Sequence, residues 1–182
     1  MRQANLTKAE KGFTLLETLI ALIVLAVGIL GLAAMLADAL AYMQGSEDDF
    51  IAQQKAEEAA EAIFTAKYTN NATFAQISNN TAGNSTGLFV TGPVPLTLPG
   101  QDGLVGSIND GNAPADYIVY PGPDGKLGTA DDVFTPLSNF TRTIAITNIA
   151  GEPNLRNINI EVDYTVGRFK RKYVLNTQIS AF

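Results

Sequence analysis

The sequence predicts an α+β protein in which one long N-terminal helix is followed by a C-terminal antiparallel β-sheet. Three observations predict it. Residues 13–37 are an apolar run carrying one charge, Glu17. Ala52, Ala56, Ala59, Ala60 and Ile63 then recur at helical spacing. Residues 142–179 alternate apolar and polar side chains with the period of a strand.

Composition bounds the chemistry. The chain has 182 residues, a formal net charge of −6, and neither cysteine, histidine nor tryptophan. That length admits one domain, or one domain with an appendage. Without His and Cys there can be no His-based zinc site, no Ser-His or Cys-His nucleophile, no haem histidine and no iron–sulfur cluster. No disulfide can form. A metal would need oxygen ligands, which favours calcium or magnesium. The acidic balance argues against a nucleic-acid partner. No catalytic set is visible, so the chain reads as a structural protein and not an enzyme.

The first element is the apolar run. As a helix its 25 residues extend roughly 37 Å, enough to cross a ~30 Å hydrocarbon core. Arg2, Lys8 and Lys11 precede it, and Asp38, Glu47, Asp48 and Asp49 follow. That asymmetry places the N-terminus in the cytoplasm and the C-terminus outside it. A buried core helix is the competing reading, but so long an uncharged run exceeds ordinary core helices. An ordinary secretory signal fits poorly: the run is too long for its apolar region. Glu17 lies inside the run, and an ionisable group there is costly unless it has a purpose. Gly28 and Gly31 either open a packing groove or weaken the helix.

The helix is expected to continue from residue 13 to residue 67, roughly 80 Å if straight. Its second half presents the alanine face to a sheet, while Glu47, Asp48, Lys55, Glu57, Glu58 and Glu61 lie mostly elsewhere. Two helices broken at Gly45 are the alternative. Residues 68–112 are rich in Asn, Thr, Ser and Gly, which predicts turns and loops with brief strands such as residues 88–90. Residues 121–133 read PGPDGKLGTADDV. Asp124, Asp131 and Asp132, with carbonyls from Leu127 or Val133, supply the oxygens calcium prefers. The order is not that of an EF-hand. A solvated pair of Gly/Asp turns is the alternative.

Strands are expected over residues 142–149, 157–166 and 171–179. Ile158, Ile160, Val162, Tyr164 and Val166 share one face of the second, and Tyr173, Leu175, Thr177 and Ile179 share one face of the third. Residues 167–170 form the turn between them. Arg168, Lys170, Arg171 and Lys172 make this turn basic. It is either a solvated tip or a contact for acidic neighbours, DNA or phospholipid.

The segment Lys11-Gly12-Phe13-Thr14-Leu15-Leu16-Glu17 resembles the class III signal of type IV prepilins and pseudopilins. The resemblance implies a leader, residues 1–12, removed by prepilin peptidase between Gly12 and Phe13, with methylation of the new N-terminal Phe13. It makes Glu17 the assembly residue at the fifth mature position. Removing a leader of net charge +2 leaves a mature chain of −8. The V-G-I-L-G-L-A segment within residues 20–35 resembles PilV-type minor pilins. The implied division is residues 13–37 as the membrane and assembly half of the helix, 38–67 as its periplasmic half, and 68–182 as a globular head. The fold implied is type IV pilin-like. The implied partners are other pilin subunits through the helix, prepilin peptidase, the inner-membrane assembly platform and, before assembly, inner-membrane lipid. The expected location is the inner membrane, with the C-terminus periplasmic, and then the filament.

Physical chemistry suggests what Glu17 would do in such a filament. The cleaved chain has a free amine on Phe13, and a neighbour's Glu17 can meet it among parallel helices. Desolvation cancels most of that attraction, but leaving either charge alone is costly, so the pair sets register while apolar packing supplies adhesion. Snorkelling of Glu17 to the headgroups is the alternative. The Asp loop is similar to the calcium loop of major type II secretion pseudopilins. The expected function is therefore a structural minor pilin of a type IV pilus. The alternatives are a type II secretion pseudopilin and, from another class, a membrane-anchored calcium-dependent adhesion module.

Overall fold

The computed structural model describes residues 12–167 and 169–182. The expected leader, Gly12 excepted, and Arg168 of the basic turn lie outside the described residues. Helix α1 is Leu15–Tyr68, followed by β1 (Val94–Pro95), a single 3-10 turn (Asp110–Asn112), β2 (Tyr117–Tyr120), β3 (Val133–Pro136), β4 (Phe140–Ile149), β5 (Glu152–Val166) and β6 (Phe169–Ser180). The chain divides into two compact units, residues 1–43 and residues 44–182.

In the first unit the described residues are helical from Leu15 onward, and α1 is long and apolar enough to cross a membrane by length and composition. Its leucines, isoleucines and valines are all exposed, as expected of a helix that has no partner surface within its own unit. The helix does not break at Gly45. Gly45 is buried, and a Cβ there would lie 3.3 Å from both Val166 Cγ1 and Arg171 Nη1, so the lack of a side chain lets two strands approach the helix closely. At the far end Asn70 adopts a left-handed φ of 59° and the helix stops.

The second unit is a helix–sheet sandwich. Its four-stranded antiparallel sheet has the order β1-β4-β5-β6, and β2 pairs with β3 in a separate two-stranded sheet. Registers such as Ile144↔Ile160 and Ile146↔Ile158 place branched side chains opposite one another on the inner face. Ile51, Ala52, Ala56, Ala59, Ala60, Ile63 and Ala66 of α1 join that face in one core with Phe140, Ile158, Ile160, Val162, Tyr164 and Ile179. The small alanines allow a close approach of helix and sheet, and the larger sheet residues fill the interface. Phe140 stacks on Tyr164 with ring centroids 5.4 Å apart.

The strands are longer than their apolar patterns, because backbone pairing continues past the last buried side chain. β5 begins at Glu152, five residues before the expected start at residue 157, and Gly151 makes the preceding turn with a φ of 82°. Residues 88–90 do not form a strand. Phe89 makes isolated bridges to Asn79 and Ser107 instead. The Asn79 side chain donates to Ile144 O at 2.6 Å and accepts from Ile146 N at 2.7 Å, so one amide group continues the edge of β4 beyond the two-residue β1.

Candidate functional site

Thr14 caps the first turn of α1. Its Oγ1 accepts from Glu17 N at 3.3 Å, and its carbonyl accepts from Thr18 N at 3.2 Å. Thr14-Leu15-Leu16-Glu17 has the spacing of a capping box. Among the described residues, however, the Glu17 carboxylate accepts no hydrogen bond and enters no ion pair. The cap thus uses the Glu17 amide and leaves its acid unspent, close to the positive end of the helix. Gly12 and Phe13 are both exposed just ahead of the cap. A Cβ on Gly12 would touch nothing within 4 Å, so the chain at the expected cleavage point is sterically open.

The acidic loop connects β2 to β3. Asp124 Oδ1 accepts from Lys126 N at 2.8 Å, and Asp131 Oδ2 accepts from Asp124 N at 3.2 Å. Asp132 Oδ2 accepts from Gly128 N at 2.6 Å and Thr129 N at 3.2 Å, and Asp131 Oδ1 takes the Thr129 hydroxyl at 2.6 Å. Gly122 is required by this arrangement: a Cβ there would lie 2.2 Å from the Asp131 carbonyl oxygen. Hydrogen bonding by Thr129 and by backbone amides holds the Asp131 carboxyl below its usual pKa. Leu127 is exposed at the loop tip. Among the described residues no group of three or more acidic side chains is gathered to hold a metal ion. The three aspartates expected to bind calcium serve the loop's own amides, and only Asp132 Oδ1 is shut from solvent without a donor.

A buried ionic cluster was not foreseen. Arg142 on β4 is fully buried, and its Nη1 donates to the Lys55 carbonyl at 3.3 Å, while Nε and Nη2 have no hydrogen-bond partner among the described residues. Lys55 Nζ lies 2.7 Å from Asp116 Oδ2 and 2.9 Å from Glu58 Oε2. The contact with Asp116 is a close ion pair. Asp116 Oδ1 accepts from Tyr117 N at 2.8 Å. Burial works to lower the Lys55 pKa, but its contacts with Asp116 and Glu58 outweigh burial and raise it. Desolvation pulls the Arg142 guanidinium down, against the fields of Glu58, Asp116 and Asp110. The Arg142 position was legible in principle. It shares the alternating inner face of Phe140, Ile144 and Ile146. Lys55, by contrast, is not on the solvated side of α1 but turns inward.

A second ionic cluster surrounds the start of the head portion of α1. Tyr120 Oη donates to Glu47, Tyr164 Oη donates to Asp49, and Arg171 Nη1 lies 3.0 Å from Asp49 Oδ2. The Tyr164 bond, with help from Arg171, holds Asp49 below its usual pKa. Burial and that same bond push Tyr164 up to about 12.

Residues 7–33 match a family model described as the prokaryotic N-terminal methylation motif. Neither a curated protein nor a solved structure matches the chain. The matched segment is a prepilin-type signal and spans the cap, Glu17 and the first turns of α1. With it, the long N-terminal helix and the antiparallel sheets make a type IV pilin-like α+β arrangement.

Proposed function

We propose that this chain is a minor pilin: a structural subunit cleaved after Gly12, methylated at Phe13, and drawn from the inner membrane into a type IV filament through α1. The observation that carries this reading is the coincidence of the methylation motif over residues 7–33 with the start of a helix whose leucines, isoleucines and valines in the first unit are all exposed. Among the described residues the Glu17 carboxylate has no partner, which supports its role as partner for a neighbour's Phe13 amine. In this reading prepilin peptidase and the inner-membrane assembly platform are the processing partners, and the work of the chain is packing, not catalysis. Mass spectrometry of the chain recovered from membranes tests it. N-methyl-Phe13 at the N-terminus is expected, and a chain still beginning at Met1 refutes the reading.

A second reading, a type II secretion pseudopilin with calcium in its loop, is favoured by one observation, the donorless Asp132 Oδ1. As arranged, the carboxylates do not converge on one point, so calcium would have to displace amide contacts of Asp124 and Asp131. Thermal unfolding with calcium and with chelator decides: stabilisation by calcium is expected of this reading, and an unchanged melting temperature removes it.

A further inference from the structure

We propose that the side chains of Lys55 and Asp116 condense into an intramolecular amide, a covalent tie between α1 and the residue that precedes β2. The inference rests on the geometry of residues 44–182 alone and stands apart from the proposed function.

Lys55 Nζ lies 2.7 Å from Asp116 Oδ2, and the two side chains are 15% and 2% exposed. Asp116 is fixed in place. Its amide donates to Leu96 O at 3.1 Å, its carbonyl accepts from Leu137 N at 2.9 Å, and Oδ1 accepts from Tyr117 N at 2.8 Å. An amine and a carboxyl group held in contact react as one molecule, with the entropy of meeting already spent. A second carboxylate is at hand, because Glu58 Oε2 accepts from the same Nζ at 2.9 Å. Among the described residues Lys172 also pairs with a carboxylate, Glu161, but those side chains are 58% and 29% exposed, where water keeps both ions charged.

The reaction balances without an added reagent. A proton passes from Nζ to Oδ2 within the pair, leaving an amine and a carboxylic acid. Nζ then adds to Cγ and gives a second proton to Glu58. The negative charge that develops on Oδ1 faces the Tyr117 N–H, which is already placed as its donor. The Cγ–Oδ2 bond breaks, Oδ2 takes the proton back from Glu58, and it leaves as water. One N–C bond is formed, one water is released, and Glu58 is restored. The raised Lys55 pKa does not oppose the first transfer, because the proton stays within the pair instead of going to solvent. Burial supplies the drive. Two shielded ions bear a desolvation penalty that a neutral amide escapes. Both charges vanish together, so the net charge facing buried Arg142 does not change. The head folds with the ion pair, and the amide follows from it. In a chain without cysteine such a bond is a covalent staple that closes a long loop.

Mass spectrometry of the purified full chain, denatured, tests the bond. The intact mass is expected one water below that of the chain with its observed N-terminus. Proteolysis should then release a branched peptide joining Lys55 to Asp116. Lys55→Met and Asp116→Ala chains should each keep the full mass. After a pulse of synthesis, Glu58→Gln should form the branch at least ~10-fold more slowly than wild type. A wild-type chain of full mass overturns the proposal. So does a water lost without the branched peptide, as a succinimide at Asp124 beside Gly125 would give. Equal rates in wild type and Glu58→Gln overturn the part of Glu58 as base. The decisive reading is made on the wild-type chain, so the folding of the variants does not enter it.

Discussion

Asp116→Ala is expected to be the most damaging single change in the head outside its apolar core. Asp116 is 1% exposed and is the anion closest to Lys55, at 2.7 Å, in a region that also holds the fully buried Arg142. Removing it leaves Lys55 with Glu58 alone, whose side chain is 33% exposed and hence better screened. Arg142 keeps one bond, to the Lys55 carbonyl, and loses part of the field that offsets its desolvation. Removing one partner of a buried pair costs ~3–5 kcal/mol because the other charge stays buried. At ~2–4 °C per kcal/mol for a unit of this size, the melting temperature should fall by about 6–20 °C. Circular dichroism melts of the detergent-solubilised chain, followed through the β-sheet signal, measure it. The triple variant Lys55→Met, Asp116→Leu, Arg142→Met replaces the three most buried charges by apolar groups, leaving the half-exposed Glu58, and should recover most of the loss, as expected when desolvation dominates. A single variant within ~1 kcal/mol of wild type would refute the argument, because the residual charges would then be adequately solvated.

Other expectations test separate parts of the molecule. Glu17→Val should insert into the membrane normally yet enter filaments at a small fraction of the wild-type level, as read by fractionation of sheared filaments and membranes. Normal incorporation would rule out the register role. The Asp49–Tyr164 bond should give stability a limit at each end of the pH scale. Asp49 is depressed, so its contribution is present above the ordinary value of 3.8 and lost as pH falls through the folded value. Tyr164 is raised, so its contribution is present below 10.0 and lost as pH rises toward about 12. Tyr164→Phe keeps the stack on Phe140 and removes only the hydroxyl. Its melting temperature should vary less with pH at both limits, and limbs parallel to wild type would show that the bond contributes nothing.

Much of the architecture was legible because it rests on local period. The alternation of Ile158, Ile160, Val162, Tyr164 and Val166 does fall on the buried face of β5, and the alanine face of α1 does lie in the core. The helix passes through Gly45, where Val166 and Arg171 pack closely, a contact no local pattern carries. β2 and β3 were not foreseen. Each is only four residues long with no fully buried side chain, and the two are separated by 12 residues, so neither strand is long enough to show a period. β1 is two residues held only by pairing with Thr141 and Arg142.

The candidate sites divide the same way. Gly12, Phe13, Thr14 and Glu17 are contiguous, so their chemistry is written in the order of the chain, and the methylation motif is matched there. The roles of Asp124, Asp131 and Asp132 depend on where their oxygens point, and in the fold they accept from the loop's own amides, with Asp131 packed against Gly122. Lys55, Asp116 and Arg142 are 26 to 87 residues apart and meet only when helix and sheet close on each other. By itself the sequence determined a long apolar helix behind a prepilin-type signal and a C-terminal sheet, because hydrophobic period and a contiguous motif are local properties. The tertiary structure alone decided which charges are buried and which of them meet, because burial and Coulomb energy depend on distances between segments that the chain order leaves open.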